Sequence, residues 1–310
     1  MRIAFMGTPD FSVDCLKALV ESKHEVVGVF CQPDKPVGRK QELTPPDVKV
    51  EALKHNLKIF QPVTLKNGKG VEILEDIKPD LVVVVAYGKI LPHDFLVYPK
   101  YGCINIHASI LPKYRGASPI HFAVLNGDEE TGVTAMQMDD GLDTGDILHI
   151  KRCPVGINDT TERMYEIMAP LGAQTLMETI EMLENGQLNP VKQDDSLSSK
   201  VGLLTREMSA IDWSKSAFEI HNKIRGLYSW PGASTTLNGK TLKIHSAVLS
   251  EKTANNKVGE VVDSNGRLIV ACGDGKCIEL KTVQLEGKKR MEVSAFLNGY
   301  SVEKGTVLGQ

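Results

Sequence analysis

Residues 105–128, NIHASILPKYRGASPIHFAVLNGD, fit chemistry better than packing by their types and spacing. A short apolar approach, Cys103-Ile104, leads into them and reads as a strand. Side chains two apart on a strand share a face, so the Asn105 amide and the His107 imidazole project together. Placed so, they can donate hydrogen bonds to an oxygen that gains negative charge during acyl transfer. A second polar stretch, residues 138–147 (MDDGLDTGDI), supplies Asp139, Asp140, Asp143 and Asp146. A carboxylate beside an imidazole sets its tautomer and helps take a proton from an attacking group. The set suits direct attack by an amine on an activated acyl group without a covalent enzyme intermediate. Ser109 stands two residues from His107, but local spacing alone does not make it a nucleophile. A hydrogen-bonded strand-end His107 and a turn-forming Asp143 before Gly145 fit the same residue types, and both readings stand at this point. The expectation is that the two loops meet.

The elements that position these loops follow from periodicity. Residues 2–6 (RIAFM), 26–30, 59–60 and 81–86 read as strands. Residues 13–20, 46–55 and 71–77 read as helices, the first on the spacing of Val13, Leu16, Leu19 and Val20. Continuous β-branched runs such as LVVVV mark strands buried on both faces, as in a parallel sheet covered by helices. The expected fold is a doubly wound α/β domain, Rossmann-like, whose ligands bind beyond the carboxyl ends of the strands. Asn105 and His107 stand at such an end. A loop with Pro112 and Gly116 follows, then a helix from about Pro119.

After a strand at 147–150, residues 161–185 carry an apolar stripe at helical spacing, and Pro170 with Gly172 is expected to kink or split that helix. Periodicity fades from 189 to 206, which reads as a linker between a first domain (1–188) and a second (207–310). In the second, a helix at 217–227 precedes short strands at 242–249, 259–262, 268–272 and 277–285, which point to a small β-barrel or sandwich.

A chain of 310 residues is long enough for two cores. Its net charge of −3 argues against a wholesale nucleic-acid coat, though not against a local basic patch, which acts over roughly 8–10 Å. The scattered cysteines read as cytoplasmic free thiols; Cys272 and Cys277 bracket the turn GDGK and read as hairpin residues, with no metal site expected. RIAFM opens the chain as a strand, so no targeting peptide is expected, and no apolar run approaches the roughly 20 residues of a membrane span. The glycine patterns of dinucleotide and P-loop sites are missing after the first strand, since Gly7-Thr8-Pro9 offers one glycine. Residues 32–47, QPDKPVGRKQELTPPD, form a proline-rich insertion with Lys35, Arg39 and Lys40, readable as a mobile surface loop or as a clasp for phosphate.

Taken together, FMGTPDF, QPDKPVGR, VVVAYGKILP, GCINIHASILPKYRGASPI, GVTAMQMDDGLDTGDIL, IDWS, IRGLYSWPGA and EGKKRM span nearly the whole chain. In these the sequence resembles the folate-dependent formyltransferases, specifically their tRNA-acting branch. The resemblance implies formyl transfer from 10-formyltetrahydrofolate, as cosubstrate, to the α-amino group of methionine carried on initiator tRNA. By position, Asn105, His107 and Asp143 match the catalytic triplet. Ser109, Ile110, Leu111 and Pro112, with Val85, Tyr87, Gly88, Ile90, Leu91, Asp139 and Asp140, match the folate site. The insertion (Lys35, Arg39, Lys40) and an OB-fold-like C-terminal domain (Lys243, Lys288, Lys289, Arg290) would meet the tRNA. The acidic pair Asp194-Asp195 is read as disfavouring RNA contact by the linker. A cytoplasmic monomer without membrane contact is expected. The alternatives are a formyltransferase for a small-molecule amine, which leaves the C-terminal domain and insertion unexplained, and a non-catalytic RNA-binding protein.

Overall fold

The computed structural model describes residues 1–38 and 41–310. Arg39 and Lys40 lie outside the described residues. The chain forms two compact units. The first comprises Met1–Gly116, Thr131–Cys153 and Tyr165–Val201; the second comprises Ala117–Glu130, Pro154–Met164 and Gly202–Gln310.

In chain order the elements begin with β1 (Arg2–Gly7), α1 (Val13–Val20), β2 (Glu25–Phe30), β3 (Lys35–Val37), β4 (Glu42–Thr44), α2 (Asp47–Lys54), β5 (Ile59–Phe60), α3 (Lys69–Ile77) and β6 (Leu81–Val85). They continue with α4 (His93–Leu96), β7 (Cys103–His107), β8 (Arg115–Gly116), α5 (Pro119–Leu125), β9 (Glu130–Gln137), β10 (Ile147–Pro154), α6 (Thr161–Glu184) and β11 (Lys200–Val201). The last group is α7 (Ala217–Gly226), β12 (Ala233–Leu237), β13 (Lys240–Thr253), β14 (Val261–Asp263), β15 (Leu268–Ala271), β16 (Lys276–Leu285), β17 (Met291–Glu292) and α8 (Val293–Gly299).

The first unit is built on a seven-stranded sheet in the order β10-β9-β7-β6-β1-β2-β5. Pairings from β5 through β7 are parallel, and β9 runs antiparallel to β7. The sheet is thus mostly parallel and doubly wound, as the apolar runs predict. Every residue of β6 is buried, which is what a strand covered on both faces requires. Each such side chain contributes about 1.5–3 kcal/mol on leaving water. From β1 the chain runs outward to β2 and β5, then returns to β6 and β7 on the other side. The carboxyl ends of β1, β6 and β7 therefore border the crevice where ligands bind in open α/β sheets.

Two expectations are corrected by the structure. Of the kink or split expected at 161–185, the split does not occur: α6 runs through Pro170 as one element. Pro170 removes one backbone hydrogen bond, yet Met168, Leu176 and Ile180 on either side are fully buried and hold the register. The insertion is more than loop: β3 and β4 pair as an antiparallel hairpin, with Pro36 opposite Leu43. Its base is tied by Lys49, whose Nζ meets both Asp34 carboxylate oxygens at 2.8 Å and Gln61 Oε1 at 2.9 Å.

The second unit carries an antiparallel sheet in the order β12-β13-β16-β15-β14, with β17 on β16. β13 is 14 residues long and bulged between Ile244 and Ala247 and again before Thr253. α7 begins with a capping box, Ser216 and Glu219, and packs on β13 and β16. Its inner face of Ala217, Ile220 and Ile224 joins one apolar cluster with Trp213, Leu242, Val270 and Leu280. Among the described residues no helix is long and apolar enough to cross a membrane.

α7 also buries His221, 2% exposed. Burial, reinforced by Arg225, pushes its imidazole down to about 4 against a hydrogen bond with Ala247 that pulls the other way. The unfolded chain, titrating near 6.5, binds more protons than the fold between those values. Stability is therefore full above about pH 6.5 and falls as the pH drops toward 4, by about 1.4 kcal/mol per pH unit at most. Denaturant unfolding at pH 7 and pH 5 is expected to show a smaller acid loss for His221→Gln than for the natural chain.

Candidate active site

β7 delivers both strand-end side chains to one face, as alternation dictates. His107 is buried and Asn105 half-buried. The Asp143 carboxylate comes to meet them: Asn105 Nδ2 lies 3.5 Å from its Oδ1, and His107 Nδ1 lies 3.8 Å from its Oδ2. The other ring nitrogen, Nε2, is 2.9 Å from the Tyr114 carbonyl oxygen. A carbonyl only accepts, so Nε2 carries the hydrogen and donates it there. The neutral ring then presents a bare Nδ1, and the protonated ring presents an Nδ1–H, to the space shared with Asp143. At 3.5–3.8 Å these contacts are longer than a formed hydrogen bond, and three polar groups converge on a spot that a small polar atom can enter.

Asp143 is held in an unusual backbone state, with φ of +54°. Its Oδ2 accepts the Gly116 N–H at 2.8 Å. Gly116 has φ of +119°, a region open to glycine, and a Cβ there would fall 2.1 Å from the Val201 carbonyl oxygen. Part of the loop is closed on itself. Asp139 Oδ1 accepts from Gly141 N at 3.0 Å and from Thr144 Oγ1 at 2.7 Å, and Gln137 N donates to Asp146 O at 2.9 Å.

The residues expected at a folate site fall into two groups. Val85, Tyr87, Leu91, Ser109 and Leu111 are buried, and Ile110 and Pro112 are half-buried. The Tyr87 ring is core, burial pushing its phenol up to about 12, and its carbonyl already accepts from Thr8 and Gln32. Residues 109–112 are fixed from beneath by Thr134, which accepts from Leu111 N at 3.1 Å and donates to Ser109 O at 2.6 Å. Gly88, Ile90, Asp139 and Asp140 are exposed. Only Asp139 and Asp140 of the expected set line a cavity of about 390 Å³, which they share with His93, Leu96, Pro99, Gly102 and Met138 at the amino end of β7, away from Asn105 and His107. His93 Nδ1 sits 3.1 Å from Asp140 across its rim.

Of the cations expected on a tRNA face, Lys35 is exposed on β3. Lys243, Lys288, Lys289 and Arg290 are exposed and gather at one end of the β13–β16 pair. Lys243 stands opposite Gln284, whose Nε2 donates to Lys288 O at 3.0 Å. Arg290 lies over the Tyr228 ring, 5.5 Å from its centroid, and Nη1 donates to its hydroxyl at 3.1 Å. Lys281, by contrast, is paired with Glu279.

Reading the sequence missed the groups that hold the site: the Tyr114 carbonyl, the Gly116 N–H, Thr134, and the pair Arg115 and Gln193. Backbone groups leave no residue signature, and Gln193 sits in a stretch without period. A single Arg-Gly in a polar loop was the available signal.

Two outcomes are expected. In ¹⁵N NMR of the neutral protein, His107 is expected as the Nε2–H tautomer. Gly145→Ala is expected to cut activity while the fold persists, because its Cβ would fall 1.7 Å from the Gln137 carbonyl oxygen and the Asp143 loop must shift. Circular dichroism together with turnover checks this.

Residues 1–180 match the formyl transferase family model, and residues 203–301 match the model of the formyl transferase C-terminal domain. A methionyl-tRNA formyltransferase from Alkaliphilus oremlandii is 44% identical over 310 residues, covering 100% of both chains. One from Citrifermentans bemidjiense is 45% identical over 100% of this chain and 97% of its own length. Among solved structures, an N-formyltransferase from Helicobacter canadensis shares the fold, with a TM-score of 0.71 at 22% identity over 90% of this chain and 98% of that one. The sugar 3N-formyl transferase WlaRD does so with a TM-score of 0.69 at 24% identity, over 93% and 99%. With family models matched in both halves and near-half identity from end to end, the chain belongs to the formyl transferase family, and within it to the methionyl-tRNA formyltransferases.

Proposed function

We propose that this chain transfers the formyl group of 10-formyltetrahydrofolate to the α-amino group of methionyl initiator tRNA. The observation that carries the reading is the convergence of Asn105, His107 and Asp143 on one spot at the carboxyl end of β7. The folate cosubstrate supplies an activated formyl carbon on a nitrogen leaving group. Asn105 Nδ2 and a protonated His107 Nδ1 donate to the formyl oxygen as it gains charge. Asp143 keeps that imidazolium in place and accepts, directly or through water, the proton lost by the attacking amine; as the tetrahedral adduct collapses, the bond from the formyl carbon to the folate nitrogen breaks and that proton passes to the departing nitrogen. An α-amino group titrates near 7.7–8.0, so no stronger base is needed.

The donor's flat ring lies between residues 85–91 and the 139–143 loop, which offer backbone donors and acceptors with apolar walls. Residues 109–112 and 85–91 shape the approach from below. Residues 1–188 act as the catalytic domain, 189–206 as the connection, and 207–310 as the tRNA-binding domain. In the latter, Lys243, Lys288, Lys289 and Arg290 lie along phosphates, and Lys35, Arg39 and Lys40 reach the acceptor end from the insertion. All three catalytic side chains come from one chain, so a monomer suffices, and the cytoplasm is where charged initiator tRNA is found.

The test supplies 10-formyltetrahydrofolate and compares initiator methionyl-tRNA, elongator methionyl-tRNA and free methionine. Formylation of the initiator species is expected, falling by about 10²–10⁴-fold in His107→Ala with the melting temperature kept. Formylation of a small amine in preference to charged tRNA sinks the reading.

A further inference from the structure

The aperiodic stretch after α6 is tied to the catalytic loops through side chains. Gln193, 6% exposed, donates both hydrogens of its Nε2: to Asp143 O at 2.9 Å and to Gly145 O at 2.7 Å. Its Oε1 accepts from Arg115 Nε at 3.0 Å and Nη2 at 2.8 Å. With two carbonyls on one side and a guanidinium on the other, only this amide orientation satisfies every partner. Arg115 is 3% exposed, and its Nη2 is also bound to Asp195 Oδ1 at 2.8 Å, a carboxylate that stands in solvent. Arg115 immediately precedes Gly116, whose N–H holds the Asp143 carboxylate. β11 pairs with both residues, Lys200 opposite Arg115 and Val201 opposite Gly116. The backbone and the carboxylate of Asp143 are thus gripped by two ends of one device, at a residue whose left-handed backbone is otherwise unfavourable.

We propose that Gln193, held by Arg115 and Asp195, is a positioning residue that fixes the Asp143 carboxylate at the distance from His107 and Asn105 that formyl transfer requires. The proposal rests on the reading of Asp143 as catalytic. Gln193 touches no reacting atom; it acts through the Asp143 and Gly145 carbonyls. The stretch from 190 to 201 is then part of the active site's scaffold as well as the route into the second unit.

The test uses the full chain with charged initiator tRNA and folate donor. Gln193→Glu keeps the volume and an acceptor for Arg115 but turns an oxygen toward two carbonyls. Asp195→Ala removes only the exposed end of the device. For Gln193→Glu, kcat is expected to fall on the order of 100-fold, as for a misplaced catalytic group, with KM for both substrates unchanged. The pH profile of kcat is expected to shift as the Asp143–His107 spacing relaxes. Asp195→Ala is expected to show a smaller loss of the same kind, and decides the matter if Gln193→Glu does not fold. Natural kcat and pH profile in a folded variant, or a change confined to melting temperature, overturns the proposal. Asp143→Asn is run alongside. If it loses activity while the Gln193 and Asp195 variants do not, the positioning role alone falls; if it stays active, the catalytic reading falls and this inference with it.

Discussion

His107 has one nitrogen to spare, and the proposed formyl transfer is organised around that fact. Its Nε2–H is spent on the Tyr114 carbonyl, so the other edge of the ring is the edge that works. A ring pinned at one nitrogen cannot swing, and its second nitrogen is aimed by the same bond that occupies the first. What remains is to bring an amide and a carboxylate to that second nitrogen. β7 does the first by alternation, and the 138–147 loop does the second by folding back over the strand end.

The sheet makes this possible without any feature of its own being reactive. β6 and β1 at its centre are buried on both faces and are rigid for that reason. β7 is the last parallel strand, and β9 beside it reverses direction, so the loop that follows β9 starts at the amino end of β7. Gln137 pairs with Ile104, and Met138 N bonds Cys103 O. The loop must therefore run the length of the strand before Asp143 reaches His107. The distance is covered by a compact turn, closed internally by Asp139 to Gly141 and Thr144 and held from outside by Gln193 and Gly116. Loops carry function here because a stiff scaffold places their ends.

Much of this is legible in the chain itself, and the boundary of legibility has a physical cause. LVVVV declares β6 because burial on both faces permits no polar residue, and Asn105 with His107 marks a shared polar face because two polar groups interrupt an apolar strand at a spacing of two. The split expected in α6 does not occur because Pro170 costs one hydrogen bond, whereas burial of the flanking residues stabilises the helix by more. The β3–β4 hairpin is hidden by Pro36, a residue that sheets admit only at edges. Gln193 leaves no trace in periodicity, since a single glutamine bonded across the fold repeats nothing. Side-chain contacts made once, between segments far apart in the chain, are what pattern reading cannot find. The cations of the second unit show the opposite limit: Lys243 and residues 288–290 stand some forty-five positions apart in the chain, and strand pairing brings them to one end of the β13–β16 pair.

The short parallel pair of β8 and β11 bears on how the protein is made. Its partners are separated by about eighty residues: Tyr114 N reaches Ser199 Oγ across 85 positions, and Arg115 reaches Gln193 across 78. Asn105, His107 and Asp143 are all in the chain by residue 143, yet Gln193 and the strand that pairs with Arg115 and Gly116 arrive only at 193–201. Contacts of such separation form late, after the loop-closure entropy of the intervening chain has been overcome. During synthesis, the sheet and its polar strand end can therefore exist before the site is set. A nascent chain ending short of Gln193 has the three side chains in its sequence but not the bonds to the Asp143 and Gly145 carbonyls, so assembly of the site waits for the chain to grow past it.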